Sequence, residues 1–577
     1  MTGNTTPLSE QRQELARRTN GATADDAPLV LPLSTGQRGL WLREQLVAGS
    51  QSYIETVAID LDGPSETKVL RLALDTVIRA QDSLRTAFVV GRSGPVQVVR
   101  PPSAVEVPLD EVPHPGEPDA LNGLFDVALR DGMLEPFDLE QAPLLRARLY
   151  RASEVRATLV FAVHHLVWDG GSMPVLLNQL AQAYASASGR VTGPRSAGEP
   201  APSYAELVRS MRAHQASPDF RSSADRWARQ FADVSVGPPV WAGSAERGTP
   251  SRGERRSGVI RREIAPPTWQ RLRAEAAAAG CTTFMIGIAC LTAALRTAPA
   301  PSPVLVSAPM SVRPQEAAQH IGYLTNTVPV LVTPPEDATR RVFLEEVRRR
   351  CVESWTHRHV PLEHIVAAAG TRDAGTSPYE RVLFNCFSSA APVQDETGLA
   401  WTAHWLPSRG PRCDLMVSWD ETSERIFARF EYDADRITAE DADGIAEAVM
   451  SVAEHLASGA DVRYDELPRA RMRDAPVAES PPDGSPLAEP TTVDVPARTR
   501  REAERAWREI LSIDEPGPLD DRDDFFALGG RSLEAVRIAR QLSTSLERQV
   551  TPQMVVEAES FGDFLTLVAA AERENTG

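Results

Sequence analysis

FAVHHLVWDGGSMPVLL, residues 161–177, is the stretch on which the reading of the fold turns. Phe161, Ala162 and Val163 read as the end of a buried strand, Gly170 and Gly171 as a tight turn, and Ser172 as the N-cap of a helix that opens an apolar run. His164 and His165 therefore stand where a strand gives way to a turn, with Asp169 just beyond them. A neutral imidazole in that position takes a proton from an attacking amine or hydroxyl, or holds the nucleophile by a hydrogen bond. Asp169 is too short and too close in sequence to act as a second base, so it reads as tying the turn down through a buried ion pair. For His-x-x-x-Asp alone, a pair of core histidines without chemistry is an equal reading.

Working outward, 142–150 and 156–163 read as strands delivering the chain to His164, and Met173 to Tyr184 as the helix leaving the turn. Upstream, residues 1–27 are polar and aperiodic, a disordered or docking tail. Ser34 caps a helix carrying Leu40, Trp41 and Leu46; Tyr53 to Leu61 reads as a strand and Thr67 to Arg79 as a helix. Downstream, a Gly, Ser and Pro rich segment from Ala185 to Pro202 marks a crossover between two lobes, 28–199 and 200–468. A second flexible loop is expected over about 235–258. Thr268 to Ala279 and Phe284 to Leu295 read as helices, and Val304 to Met310 as a strand running into SVRP. Residues 469–494, with five prolines among Ala, Ser, Asp and Glu, read as a flexible linker spanning roughly 30 Å as a coil. Residues 495–577 form a small helical unit, with Ala503, Ala506, Trp507, Ile510 and Leu511 near a 3.6 period.

Composition bounds the function. A chain of 577 residues with 42% hydrophobic residues has room for several cores. The formal net charge of -18 argues against nucleic acid and anionic membrane as partners. Cys281, Cys290, Cys351, Cys386 and Cys413 are scattered without metal-ligand spacing, so no metal is expected, and the thiols read as reduced. The polar N-terminus lacks a signal peptide core, and the longest nearly apolar run, Met285 to Leu295, falls short of the ~20 residues of a membrane span. A cytoplasmic protein without a membrane partner is expected.

The full string His164, His165, three residues, Asp169, Gly170 resembles the HHxxxDG motif of nonribosomal peptide synthetase condensation domains, shared by the wider superfamily that includes chloramphenicol acetyltransferase. Six further matches follow in the family's order. Ser34, Gln37, Arg38, Leu40 and Trp41 resemble its first motif, with Gly36 where alanine is usual. Leu84, Arg85, Thr86 and Phe88 resemble HExLRTxF, with Gln81 and Asp82 for His and Glu; Arg85 reads equally as a salt-bridge partner or a solvated arginine. Arg313 stands at the end of the strand whose arginine, in related enzymes, pairs with the motif aspartate. Ile321, Gly322, Asn326 and Thr327 resemble IGxFVNT; Asn326 either hydrogen-bonds substrate or supports buried backbone, and support is favoured. HVPLEHIV and SPYERVLFN complete the series.

In the C-terminal unit, DDFFALGGRSLEAV resembles the DxFFxLGGxSL motif of peptidyl carrier domains, whose serine carries 4'-phosphopantetheine; here that serine is Ser532 and Arg531 replaces the usual His or Asp. A serine at a helix start is also simply an N-cap, although the helix end tolerates a phosphate. Together the resemblances imply an α/β (α+β) two-lobed, chloramphenicol-acetyltransferase-like condensation fold, followed by an all-α four-helix carrier bundle. They imply an acyltransferase forming an amide between an upstream carrier-bound acyl or peptidyl thioester and an aminoacyl group on Ser532. His165 would take or orient the proton and Gly170 would keep the turn open, with His164, Asp169, Arg313 and Asn326 in support. The implied partners are an upstream donor carrier protein or synthetase, a separate adenylation enzyme loading the carrier in trans, because none lies between the two regions, and a phosphopantetheinyl transferase. With no thioesterase following, release is expected elsewhere, unless the chain is an excised fragment. The alternatives are an ester-forming or free-amine-accepting enzyme, and a catalytically silent recruitment platform.

Overall fold

The computed structural model describes residues 27–46, 51–91, 94–114, 120–189, 203–232, 241, 256–297, 302–369, 378–388, 392–421, 426–470, 495–513, 517–525, 528, 530, 532–558 and 560–574. Residues 1–26 of the expected tail, 471–494 of the expected linker and most of both flexible loops lie outside them; the linker begins later than expected, because Ala470 is buried and donates to Ala294 O at 2.8 Å. The chain divides into two compact units, Met1–Gly36 with Gln51–Ala475, and Gln37–Ser50 with Pro476–Gly577.

In the larger unit one six-stranded sheet runs, edge to edge, Val393–Gln394, Ala400–Trp405, Ile54–Asp62, Arg156–His164, Leu145–Ser153 and Leu109–Pro113. Its central strand is apolar on both faces because helices cover it: residues 157 to 164 are all buried, and Ser172–Ala187 packs against Thr67–Ala80. The second six-stranded sheet runs Thr325–Val332, Val304–Ser311, Val382–Ser388, Leu415–Glu421, Ile426–Asp433 and Ser257–Ile264. It is covered by the helices Thr283–Ala294, Arg340–Thr356 and Ala439–Ala457. Leu29–Pro32, Gly94–Val99 and Thr86–Gly91 form a small third sheet.

The two sheets are stitched by an exchange. Ala400–Trp405, numbered within the second lobe, pairs antiparallel with Ile54–Asp62 of the first, from Ala400 opposite Asp62 to Trp405 opposite Val57. Alternating Trp401, Ala403 and Trp405 give no sign in sequence of which sheet they join. The chain then returns through 406–414 to Leu415.

The smaller unit contains the helices Ala497–Leu511, Ser532–Leu546, Pro552–Glu557 and Phe561–Glu574. Trp507 is its centre: fully buried, it meets Phe525, Phe561 and Phe564 at ring-centroid distances of 5.5, 5.0 and 5.6 Å. Gly530 is required by packing, since a Cβ there would lie 2.4 Å from the Phe525 ring. Ser532 is the first residue of its helix.

Among the described residues no single helix is long and apolar enough to cross a membrane, and no group of three or more His, Cys, Asp or Glu could hold a metal ion. None of the five cysteines is in a disulfide, and Cys281, Cys290, Cys351 and Cys413 are buried.

Candidate functional site

The strand Arg156–His164 ends on two adjacent histidines that carry opposite tautomers. Leu166 N donates to His164 Nδ1 at 3.1 Å, so the His164 proton sits on Nε2. His164 is 1% exposed and packs edge-on to Phe137. His165 Nδ1 lies 2.7 Å from the Trp168 carbonyl oxygen, which only accepts, so its proton sits on Nδ1 and the lone pair on Nε2. The 3-10 turn His165–Val167 makes that bond possible, and His165 N donating to Tyr53 O at 2.8 Å fixes the backbone. The imidazole is mostly buried and meets the Tyr323 ring edge-on at 5.0 Å.

Burial pushes the His165 imidazole below its ordinary 6.5 toward the neutral form; Glu55 pulls the other way and Arg412 reinforces the fall. Glu55 Oε1 stands 3.7 Å from His165 Nε2 and accepts from Arg412 Nη2 at 2.8 Å. Burial opposes the charged form of Glu55, yet the Arg412 guanidinium outweighs it and holds the carboxyl below its ordinary range. Arg412 also donates to Ser52 O at 2.8 Å.

Neither Glu55 nor Arg412 was singled out from sequence. Glu55 occupies an alternating strand where charge on the buried face was the only available signal. Arg412 reaches the site because the returning crossover brings residue 412 beside residue 52, 360 positions earlier.

Asp169, 1% exposed, lies on the other side of the turn with both oxygens occupied. Arg313 Nη2 donates to Oδ1 at 2.6 Å and Ser172 Oγ at 2.8 Å. Leu324 N and Thr325 Oγ1 donate to Oδ2 at 2.9 and 3.2 Å. Arg313 also donates to Ala317 O at 3.2 Å and to His320 O. Gly171, not Ser172, is the helix N-cap; Ser172 is the first helical residue. Its hydroxyl is drawn away from capping because it accepts from Gly322 N at 3.1 Å and from Asp169 N at 3.3 Å.

The neighbouring glycines differ. A Cβ at Gly171 would lie 2.9 Å from Arg313 Nε, whereas one at Gly170 would meet nothing within 4 Å. Asn326, 9% exposed, donates to the Arg358 and Val360 carbonyls, each at 2.7 Å. It thereby holds the loop bearing His359, whose imidazole burial and the Arg358 and His214 charges push down to about 4. A cavity of about 280 Å³ lies here, lined by Asn326, His359, His214, Ser34, Thr325 and Tyr323 among others. Tyr323 is thus shared between the cavity and His165.

Three departures from the resembled motifs have a local cause. Gly36 leaves room for Tyr323, whose ring would come within 2.9 Å of a Cβ there. Gln81 clasps the neighbouring segment, accepting from Ile321 N at 2.9 Å and donating to Gln319 O at 2.9 Å. Asp82 accepts from Arg85 at 2.5 Å, and Arg85, 5% exposed, is a buried structural arginine.

A family model described as "Condensation domain" matches residues 29–472, and one described as "Phosphopantetheine attachment site" matches 502–568, a range that contains Ser532. The chain is 29% identical over 404 residues to a probable non-canonical nonribosomal peptide synthetase, CymA, of Salinispora arenicola, covering 69% of this chain and 5% of that one. It is 28% identical over 412 residues to chondramide synthase cmdD of Chondromyces crocatus, covering 70% and 10%. The chain therefore spans a tenth or less of the length of these relatives. The fold is that of the first condensation domain of the calcium-dependent antibiotic synthetase, with a TM-score of 0.66 at 22% identity over 76% of this chain and 98% of that one. The X-domain of teicoplanin biosynthesis is also similar, at TM-score 0.62 and 20% identity over 78% and 98%.

Proposed function

The chain belongs to the condensation-domain family and carries a phosphopantetheine attachment domain after it, and from that premise we propose that it joins an acyl or peptidyl thioester, brought by an upstream carrier protein, to an aminoacyl group held on its own Ser532. The amine nitrogen attacks the thioester carbonyl; the C–N bond forms, the C–S bond breaks, and the nitrogen's proton passes through His165 Nε2 to the departing thiolate. A thioester is already activated, so the site needs neither a nucleophilic side chain nor a metal. It needs placement and a proton acceptor.

The observation that carries this reading is the His165 tautomer. With Nδ1–H engaged by the Trp168 carbonyl, the lone pair is on Nε2, and burial keeps it unprotonated. Gly170 borders the approach of the acceptor, a role supported by the open space in front of it. His164, Asp169, Arg313 and Asn326 hold the turn and the loops behind it. Phosphopantetheine is attached to Ser532 by a transferase, the aminoacyl group is loaded by a separate adenylation enzyme, and the reaction takes place in the cytoplasm.

The test is incubation of the phosphopantetheinylated chain, charged with its amino acid, with a donor-loaded partner carrier. Product retained on the Ser532 arm supports the reading. Product free in solution replaces it with a free-amine or alcohol acceptor, and an arm that never changes mass replaces it with a recruitment platform.

A further inference from the structure

The base does not stand alone. His165 Nε2, the nitrogen with the lone pair, faces Glu55 Oε1 at 3.7 Å. Both atoms are acceptors, and the separation is too long for a hydrogen bond between them. Both side chains are mostly buried, 16% and 13% exposed, and Arg412 holds the carboxylate by a 2.8 Å contact to the same oxygen. Two converging acceptors, one charged and one basic, suit a group with several N–H donors and a positive charge. A primary ammonium is such a group and a hydroxyl, with one donor and no charge, is not.

We propose that Glu55 and His165 together form the receptor for the acceptor's amine, so that Glu55 selects an amine over a hydroxyl nucleophile and the product is an amide. This rests on the condensation reading above. The incoming ammonium donates one N–H to Glu55 Oε1 and another to His165 Nε2. The third N–H releases its proton to water, leaving the neutral amine held by the carboxylate and by Nε2. As the C–N bond forms His165 takes the second proton, which ends on the thiolate.

Arg412 keeps Glu55 ionised; the charges of Arg429 and Glu431 also act on Glu55, Tyr53 and Glu431 act on Arg412, and Asp169 acts on the imidazole. These charges shift the site's titration, while Glu55 Oε1 and His165 Nε2 are the two acceptor atoms that lie 3.7 Å apart.

Two measurements on the full chain test this. In the first, the 15N-labelled His165 ring is titrated with methylammonium and with tetramethylammonium, which has the same charge and no N–H. Methylammonium is expected to shift Nε2 in the wild type, with little shift in Glu55→Gln and little from tetramethylammonium. An unmoved Nε2, or an equal shift in Glu55→Gln, overturns the inference. In the second, single-turnover transfer is compared for an aminoacyl and the corresponding 2-hydroxyacyl group on Ser532. Glu55→Gln is expected to slow amide formation about tenfold near pH 7, with the deficit closing as the pH rises past the amine's own pKa of about 8. Transfer to the hydroxyl should stay within about twofold, a difference too small to count against the assignment. Equal slowing of both acceptors overturns the inference. If neither acceptor reacts on the wild-type chain, the condensation reading fails, and the ring titration still decides the role of Glu55.

Discussion

Two carboxylate–arginine pairs flank one turn, and they are built for different ends. Asp169 and Arg313, 2.6 Å apart, form a clamp: the carboxylate takes four donors from three segments of chain and is shut off from water. Glu55 and Arg412, 2.8 Å apart, form a pair that faces a titratable ring across 3.7 Å and is reached by solvent at its edge. Saturating a buried carboxylate fixes geometry, while leaving one beside a lone pair supplies chemistry. The adjacent glycines repeat the contrast, Gly171 pressed against Arg313 and Gly170 facing open space.

The largest effects expected separate the two sides by what is lost. His165→Ala should slow transfer at least about 100-fold in single turnover with the denaturation midpoint unchanged. Arg313→Ala should lower stability by about 3–5 kcal/mol in a denaturant titration, because it leaves Asp169 buried and unpaired. A loss below about 1 kcal/mol would break the clamp account.

Next comes pH. Because burial depresses the folded pKa of His165 below 6.5, the base stays neutral to below that value, and the acid limb of single-turnover transfer should fall there. For stability the sign is the same: the unfolded imidazole binds the proton first, so the depressed ring costs stability as the pH falls through 6.5 toward the folded value. Glu55→Gln should move the limb lower still and Arg412→Met higher, since Glu55 raises and Arg412 lowers the imidazole's proton affinity. Limbs that coincide in all three chains would remove Glu55 and Arg412 from the site.

The smallest effect sharpens the glycine contrast. Gly171→Ala should cost about 1–3 kcal/mol by displacing the Arg313 guanidinium, while Gly170→Ala should stay within about 0.5 kcal/mol. Equal costs on thermal or chemical denaturation would show that the turn, and not Arg313, demands glycine.

Much of this was legible in one chain. The strand ending on His164, the turn, the following helix, and the start of the helix Ser532–Leu546 all follow from local pattern, since apolar run, glycine pair and helix-start residues agree. The buried face that carries Trp507 follows from the helical period, whereas its contacts with Phe525, Phe561 and Phe564 do not. What stayed hidden depends on contacts far apart in sequence. The hydroxyl of Ser172 reads as a cap until the segment bearing Gly322 is seen to claim it, 150 residues away. Glu55 and Arg412 are unremarkable in their own neighbourhoods and become a pair only because Ala400–Trp405 crosses to the other sheet before the chain returns. Gly36 reads as a departure from pattern until Tyr323 is placed against it.

The central claim is that a neutral imidazole moves an acyl group onto an amine tethered at Ser532. It is tested most directly by intact mass of the Ser532 arm, in wild-type and His165→Ala chains isolated from the producing cell. The account predicts a wild-type arm bearing the acceptor extended by the donor acyl group, and a variant arm halted at the unextended aminoacyl stage. An extended arm on the variant, or a wild-type arm that never carries an amine acceptor, would contradict it.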